Sequence, residues 1–161
     1  MLNIIIEIDS KNVSQYKELR LLKIIVLLMF IIPVIYNFTI HRNNIINTKK
    51  KPLYGFILSI FAVVVSGLCY RLDNTVLGYA IAISAVLFVY TVIFFPGIRK
   101  DGFNIFLGST PILKFVSFDK VKSVGIKSSK NNDLELTIKA HGDTYSQTYD
   151  LKDKDFIIKK Y

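Results

Sequence analysis

The stretch Ile98–Val124, IRKDGFNIFLGSTPILKFVSFDKVKSV, is where the chain changes character. The whole run from Asn74 to Ile98 carries no charge; Arg99, Lys100 and Asp101 then follow one another, and short apolar runs alternate with turn residues. A charge-free run of that length suits a helix across a bilayer core, which takes roughly 20 residues. The turn-punctuated part suits short strands. The boundary near Ile98 therefore divides a membrane-like half from a β-rich half.

Two more charge-free runs lie upstream, Ile24–Ile40 and Pro52–Tyr70. The first is the shorter, and reaches spanning length when Leu21 and Leu22 are added and Lys23 snorkels to the interface. The chain has 161 residues, 52% of them hydrophobic, and a mean hydropathy of +0.41. Three buried core helices would leave too little protein to cover them, so the runs read as spans at about 21–40, 53–70 and 76–96. Residues 1–20 form an N-terminal segment without the pattern of a cleaved signal peptide. Within it, Leu2–Ile8 (LNIIIEI) looks like a strand. A rival layout pairs it with the C-terminal part, leaving the N-terminus inside and one segment, kinked at Pro33, only partly across. Three full spans is the preferred reading. The single cysteine, Cys69, excludes an internal disulfide and reads as a small apolar residue.

Lys and Arg gather on the cytoplasmic side of short loops. The 41–52 loop carries Arg42, Lys49, Lys50 and Lys51 and no acid, the 71–76 loop carries one charge of each sign, and Arg99 and Lys100 follow the third span. This puts the 41–52 loop and the C-terminal part inside, against Lys11, Lys17, Arg20 and Lys23 on the disfavoured side. Small residues four apart, Gly55/Ser59, Ala62/Ser66, Gly78/Ala82 and Ala80/Ser84, suggest a tight hairpin of spans two and three. Tyr36, Tyr54, Tyr70, Tyr90 and Phe95 sit where rings favour the interface. No Asp, Glu, His or Arg lies within a span, so proton relays, ion pathways and intramembrane hydrolysis have no groups to work with. The polar inventory there is Asn37, Thr39, Ser59, Ser66, Ser84 and Thr91.

Beyond the spans, FNIFL, ILKFVSF, VKSVGIK, LELTIKA and TYSQTYDL read as five short strands of one strongly bent antiparallel sheet. Asp101-Gly102, GSTP, KNND and HGD mark the turns. Alternation places Leu134, Leu136, Ile138 and Ala140 on one face, with Glu135, Thr137 and Lys139 on the other. Tyr145 and Tyr149 share a face. KDKDFIIKKY suits a short closing helix. The fold class is thus an α+β membrane protein, with three helices followed by a small sheet domain at 99–161.

The stretches GIRKDGFNIFLG, ILKFVSFDKVKSVGIK and LELTIKA, with the turn element Phe118-Asp119-Lys120-Val121, resemble the bacterial PH-like domain of small membrane proteins. The resemblance covers the chain from about Ile98 onward and the spans-first layout. It implies a PH-like antiparallel β-sheet domain with a short C-terminal helix. The chain has fewer strands than a full PH barrel and lacks a basic phosphoinositide signature, so no headgroup site is carried over.

His41 and His141 stand alone, without a second ligand at metal spacing, and read as surface or loop residues. Asp133/Glu135 and Asp153/Asp155 read as solvated pairs. No phosphate loop or nucleophile elbow occurs. Catalytic, cofactor and metal sites are therefore not expected, and the chain reads as non-enzymatic. The net charge of +9 lacks a nucleic-acid-binding motif and fits the cytoplasmic rule and an anionic leaflet, at about 1 kcal/mol per residue near the surface. Arg42, Lys49, Lys50, Lys51, Arg99 and Lys100 are the expected membrane-surface contacts. Small cationic multi-span proteins with such a domain resemble bacteriocin immunity proteins. The resemblance implies self-protection against a membrane-active peptide. A scaffold or regulatory module of the cell envelope, acting on another membrane protein, is the alternative, and a transporter subunit comes third.

Overall fold

The computed structural model describes residues 2–49, 51–106, 112–128 and 133–158, with side chains from residue 15 onward. It is an α+β fold. Helix α1 runs Leu2–His41, α2 Pro52–Leu72 and α3 Val76–Phe94. All three are long and apolar enough to cross a membrane. Their sides face outward, with only 11, 6 and 22% of the three apolar windows buried. Met29, Ile32, Phe56, Val63 and Ile83 are each at least 60% exposed, an apolar surface that water does not stabilise.

Helix α1 has 40 residues, about 60 Å at 1.5 Å per residue. It therefore takes in Leu2–Ile8, and the rival strand assignment is wrong. Extending a nucleated helix adds one hydrogen bond per residue fixed, whereas an isolated β-rich segment needs an edge to pair with. The helix also passes through Pro33 without ending. Helix α3 packs against both α1 and α2. The tight hairpin of spans two and three is only half realised: Gly78, Ala82 and Ser84 of α3 are buried, while Ser59 is exposed and a side chain at Gly55 would meet nothing within 4 Å. At the far end from the sheets, Lys23 Nζ lies 2.9 Å from Asp73 Oδ2. Thr75 caps α3 by accepting from the Gly78 N–H at 3.1 Å.

The β part consists of two antiparallel sheets, which corrects the single bent sheet. The first has the order β1 (Ile46–Asn47), β2 (Gly97–Ile98), β3 (Gly102–Phe106), β4 (Leu113–Ser117). The second has β5 (Val121–Ser128), β6 (Asp133–Ala140), β7 (Asp143–Asp150). The Phe118–Lys120 3-10 turn breaks the chain between them, and the register slips between Val121 and Ser123. The strand β1 comes from the loop between α1 and α2, so that loop belongs to the β domain. Helix α4 (Lys154–Ile158) closes the chain with Ile157 in the core.

The predicted alternation of LELTIKA is present. Leu134, Leu136 and Ile138 are fully buried, Glu135 and Lys139 are exposed, and Thr137 is half-buried. The buried three pack with Phe103, Ile105, Val116 and Tyr149 between the sheets. Strand β3 is buried on both faces: Phe103 and Ile105 enter this core, while Asn104 and Phe106 face the helix ends. The Arg99–Gly102 turn joins β2 to β3, with Arg99 N–H donating to Gly102 O at 2.8 Å. Gly102 has no positive φ; a Cβ there would collide with Val116 O, so close backbone approach requires the glycine. The left-handed hairpin turn lies at His141 (φ 54°) and Gly142 (φ 90°), the geometry of a two-residue loop matching strand twist.

Candidate functional site

The site is the junction where helix ends meet the first sheet. Its apolar part is Phe94, Phe95 and Leu113, with Ile40, Leu58, Tyr90 and Phe106 around them. Phe95 is 3% exposed, which corrects its expected place among interface rings. Its ring stacks on His41 at 4.0 Å and meets Phe38 edge-on at 4.7 Å. His41 is accordingly a half-buried packing residue at the end of α1, more enclosed than the surface or loop position expected for it. His141 is exposed in its turn.

A polar collar threads this apolar contact. Asn37, fully buried in α1, donates from Nδ2 to Thr91 Oγ1 of α3 at 3.0 Å. Its Oδ1 accepts the Leu113 N–H at 2.9 Å. One side chain thus joins two helices to the leading end of β4. Thr91 in turn donates to Phe88 O at 2.8 Å. Deeper in the sheet, Asn104 donates to Ile40 O at 3.4 Å and to Asn44 Oδ1. Asn44 donates to Phe95 O at 3.0 Å and Asn47 Oδ1 at 3.1 Å. Gln147 donates to the Asn104 carbonyl at 3.0 Å and accepts from Tyr149 OH. Buried amides satisfied in this way fix one relative placement of helices and sheets, because breaking a bond strands a buried donor or acceptor. Asn104 Oδ1 is the exception, a buried acceptor without a partner among the described residues.

The 41–52 loop is held on both sides. Ile46 and Asn47 pair with Ile98 and Gly97, and a Cβ on Gly97 would meet Ile46 O at 2.5 Å. Lys49 N–H then donates to Thr148 O at 2.7 Å on the second sheet. The Lys49 ammonium contacts Asp133 and lies 3.5 Å from Asp150. The hydrogen bond to Asp133, with the two carboxylates' charge, pushes the Lys49 pKa up.

The six basic residues expected at a membrane surface divide. Lys49 is engaged by the second sheet. Arg99 is half-buried, 3.5 Å from Asp101 and 4.5 Å over the Phe115 ring. Arg42, Lys51 and Lys100 are exposed near the same helix ends, and Lys50 lies outside the described residues. Sequence reading found Asn37 and Thr91 as polar span residues without a role. It missed Asn44, Asn104 and Gln147. A signal existed for two of them: Asn104 interrupts an apolar strand, and Gln147 shares its face with Tyr145 and Tyr149.

A groove of about 790 Å³ opens beside this collar. Thr48, Lys49, Lys51 and Tyr54 line it from the loop and the start of α2. Val92, Ile93, Phe94, Ile105 and Phe106 give it apolar surface, and β7 contributes Asp143 to Thr148. No group of three metal-binding side chains occurs among the described residues. No protein-family model matches the chain, nor does any curated protein or solved structure.

Proposed function

We propose that the chain is a non-enzymatic protein of the cell membrane that holds a small PH-like binding domain at the cytoplasmic ends of three spans, and that the domain protects the cell against a membrane-active peptide. The observation that carries a binding role is the groove, which combines apolar surface from α3 and β3 with hydroxyls and lysines from the loop and β7. Pockets of about 300–1,000 Å³ lined in this way are typical of binding sites. The PH-like reading gains support from the strand count: with β1 and β2 the domain has four strands and three, then a closing helix. The cytoplasmic placement rests on Arg42, Lys49, Lys51, Arg99 and Lys100 gathering near one set of helix ends, and on Lys50 through its place in the sequence alone. An anionic leaflet is the natural neighbour of Arg42, Lys51 and Lys100. The collar supports a second role for the domain as a cap that holds the bundle together.

The test is expression in a host sensitive to a short cationic peptide encoded beside this gene. The lethal dose should rise for that peptide and stay unchanged for unrelated cationic agents. Deleting Gly102 to Tyr161 should abolish protection while the spans still insert. An unchanged dose for the full-length protein would return the reading to an envelope scaffold.

A further inference from the structure

The second sheet ends in an open edge beside the groove. The tight His141-Gly142 turn makes Ala140 and Asp143 a hydrogen-bonded pair, and bonding alternates along an antiparallel ladder. Tyr145, Gln147 and Tyr149 therefore spend their main-chain groups on β6. Thr144, Ser146 and Thr148 direct theirs away from it. The chain uses one of these outward groups itself: Thr148 O accepts the Lys49 N–H at 2.7 Å. Nothing among the described residues pairs with the outward main chain of Thr144 and Ser146. Thr48 and Lys49 line the same groove as Asp143 to Thr148, so the groove runs along this edge.

We propose that an extended peptide segment of a partner adds a strand here, continuing along Thr144 and Ser146 the pairing that Lys49 begins at Thr148. Unpaired N–H and C=O groups at alternate residues are matched by another main chain, whereas a lipid headgroup does not present donors and acceptors alternating at a strand's spacing. Charge argues the same way. Lys49 is taken by Asp133 and Asp150, leaving Lys51 and Asp143 on the groove, one of each sign. An anionic headgroup finds little there. The added strand would carry apolar side chains at alternate positions, where Val92, Ile93, Phe94 and Phe106 line the groove. This rests on the reading of the domain as a binding module and names the chemistry of its partner.

The test uses the full-length protein in nanodiscs with a synthetic peptide of alternating threonine and valine at millimolar concentration. Hydrogen exchange at the Thr144 and Ser146 amides should slow by about tenfold or more, as pairing closes an open edge. The Ser146→Pro variant loses the outward N–H, a change edge strands tolerate, together with the exposed Ser146 Oγ–Glu135 hydrogen bond, and should lose the slowing at Thr144. The same peptide N-methylated throughout should have no effect on the unaltered protein, which keeps the test decisive if the proline variant does not fold. Unchanged exchange, equal slowing by the methylated peptide, or slowing by nanodisc lipid without peptide would overturn the proposal, the last in favour of a lipid occupant. The readout involves no lethal dose, so failure here and failure of the protection reading are separate results.

Discussion

Asn37 carries more of the architecture than any other single side chain in the spans. It holds Thr91 and the Leu113 amide, both distant from it in sequence. Hydrogen bonds between helices in lipid average about 0.6 kcal/mol, but a buried main-chain N–H left without an acceptor costs about 1–3 kcal/mol. The second effect decides the outcome, because Leu113 is fully buried. Asn37→Leu should therefore destabilise the docked state by about 1–3 kcal/mol, read as a lower thermal midpoint in detergent and earlier proteolysis between α3 and β4. Thr39→Val, in the last turn of α1 and exposed, with a side-chain bond among the described residues only to Ile35 O, should change neither. Equal effects of the two would remove Asn37 from its place as the joint. Sequence reading recognised both as polar residues in an apolar span, but bonded partners so far apart along the chain leave no local signal of their pairing.

At the scale of elements, strands with a clear alternation were legible. The segments LELTIKA and TYSQTYDL turned out as β6 and β7 because one face of each is core, and a slip of one residue would expose it. The pieces that were not legible are β1 and β2. Each has two residues, too short for a period, and they form because the 41–52 loop returns to the sheet edge. Apart from the start of α1, which lies at Leu2 and not near residue 21, the helix ends were legible within a few residues from charge alone. The distal clasp of Lys23, Asp73 and Thr75 was not, since it joins α1 to the turn before α3. Its carboxyl responds to pH. The hydrogen bond from Lys23, then that from Thr75, hold the Asp73 pKa below the ordinary carboxylate value. A lowered folded pKa contributes stability that is complete above the unfolded value, about 3.9, and is lost as pH falls through the folded one. The thermal midpoint should thus drop on acidification below about pH 4, and Asp73→Asn should show a lower midpoint at neutral pH with a smaller acid-induced drop. The same acid dependence in both proteins would place the titrating group elsewhere.

At the scale of the molecule, three helices long and apolar enough to cross a membrane carry a two-sheet domain fixed to one set of their ends by the collar and by Lys49. The groove, the open β7 edge and the exposed Arg42, Lys51 and Lys100 all lie on the domain side. These surfaces therefore share one compartment, which is the cytoplasm in the orientation we propose from the Lys and Arg bias. The helix Leu2–His41 carries its N-terminal part beyond the opposite ends, near the Lys23–Asp73 contact. The most direct measurement is labelling of single cysteines in a Cys69→Ser background with an impermeant thiol reagent on intact cells. Gln15, Asn74, Asn47 and Lys127 are all exposed positions for the substitution. Cysteine at 15 or 74 should react, and cysteine at 47 or 127 should react only after the cells are opened. Reaction at 47 and 127 on intact cells, with protection at 74, would invert the protein and contradict a cytoplasmic domain; reaction at 15 and 47 together would contradict a first helix that crosses at all.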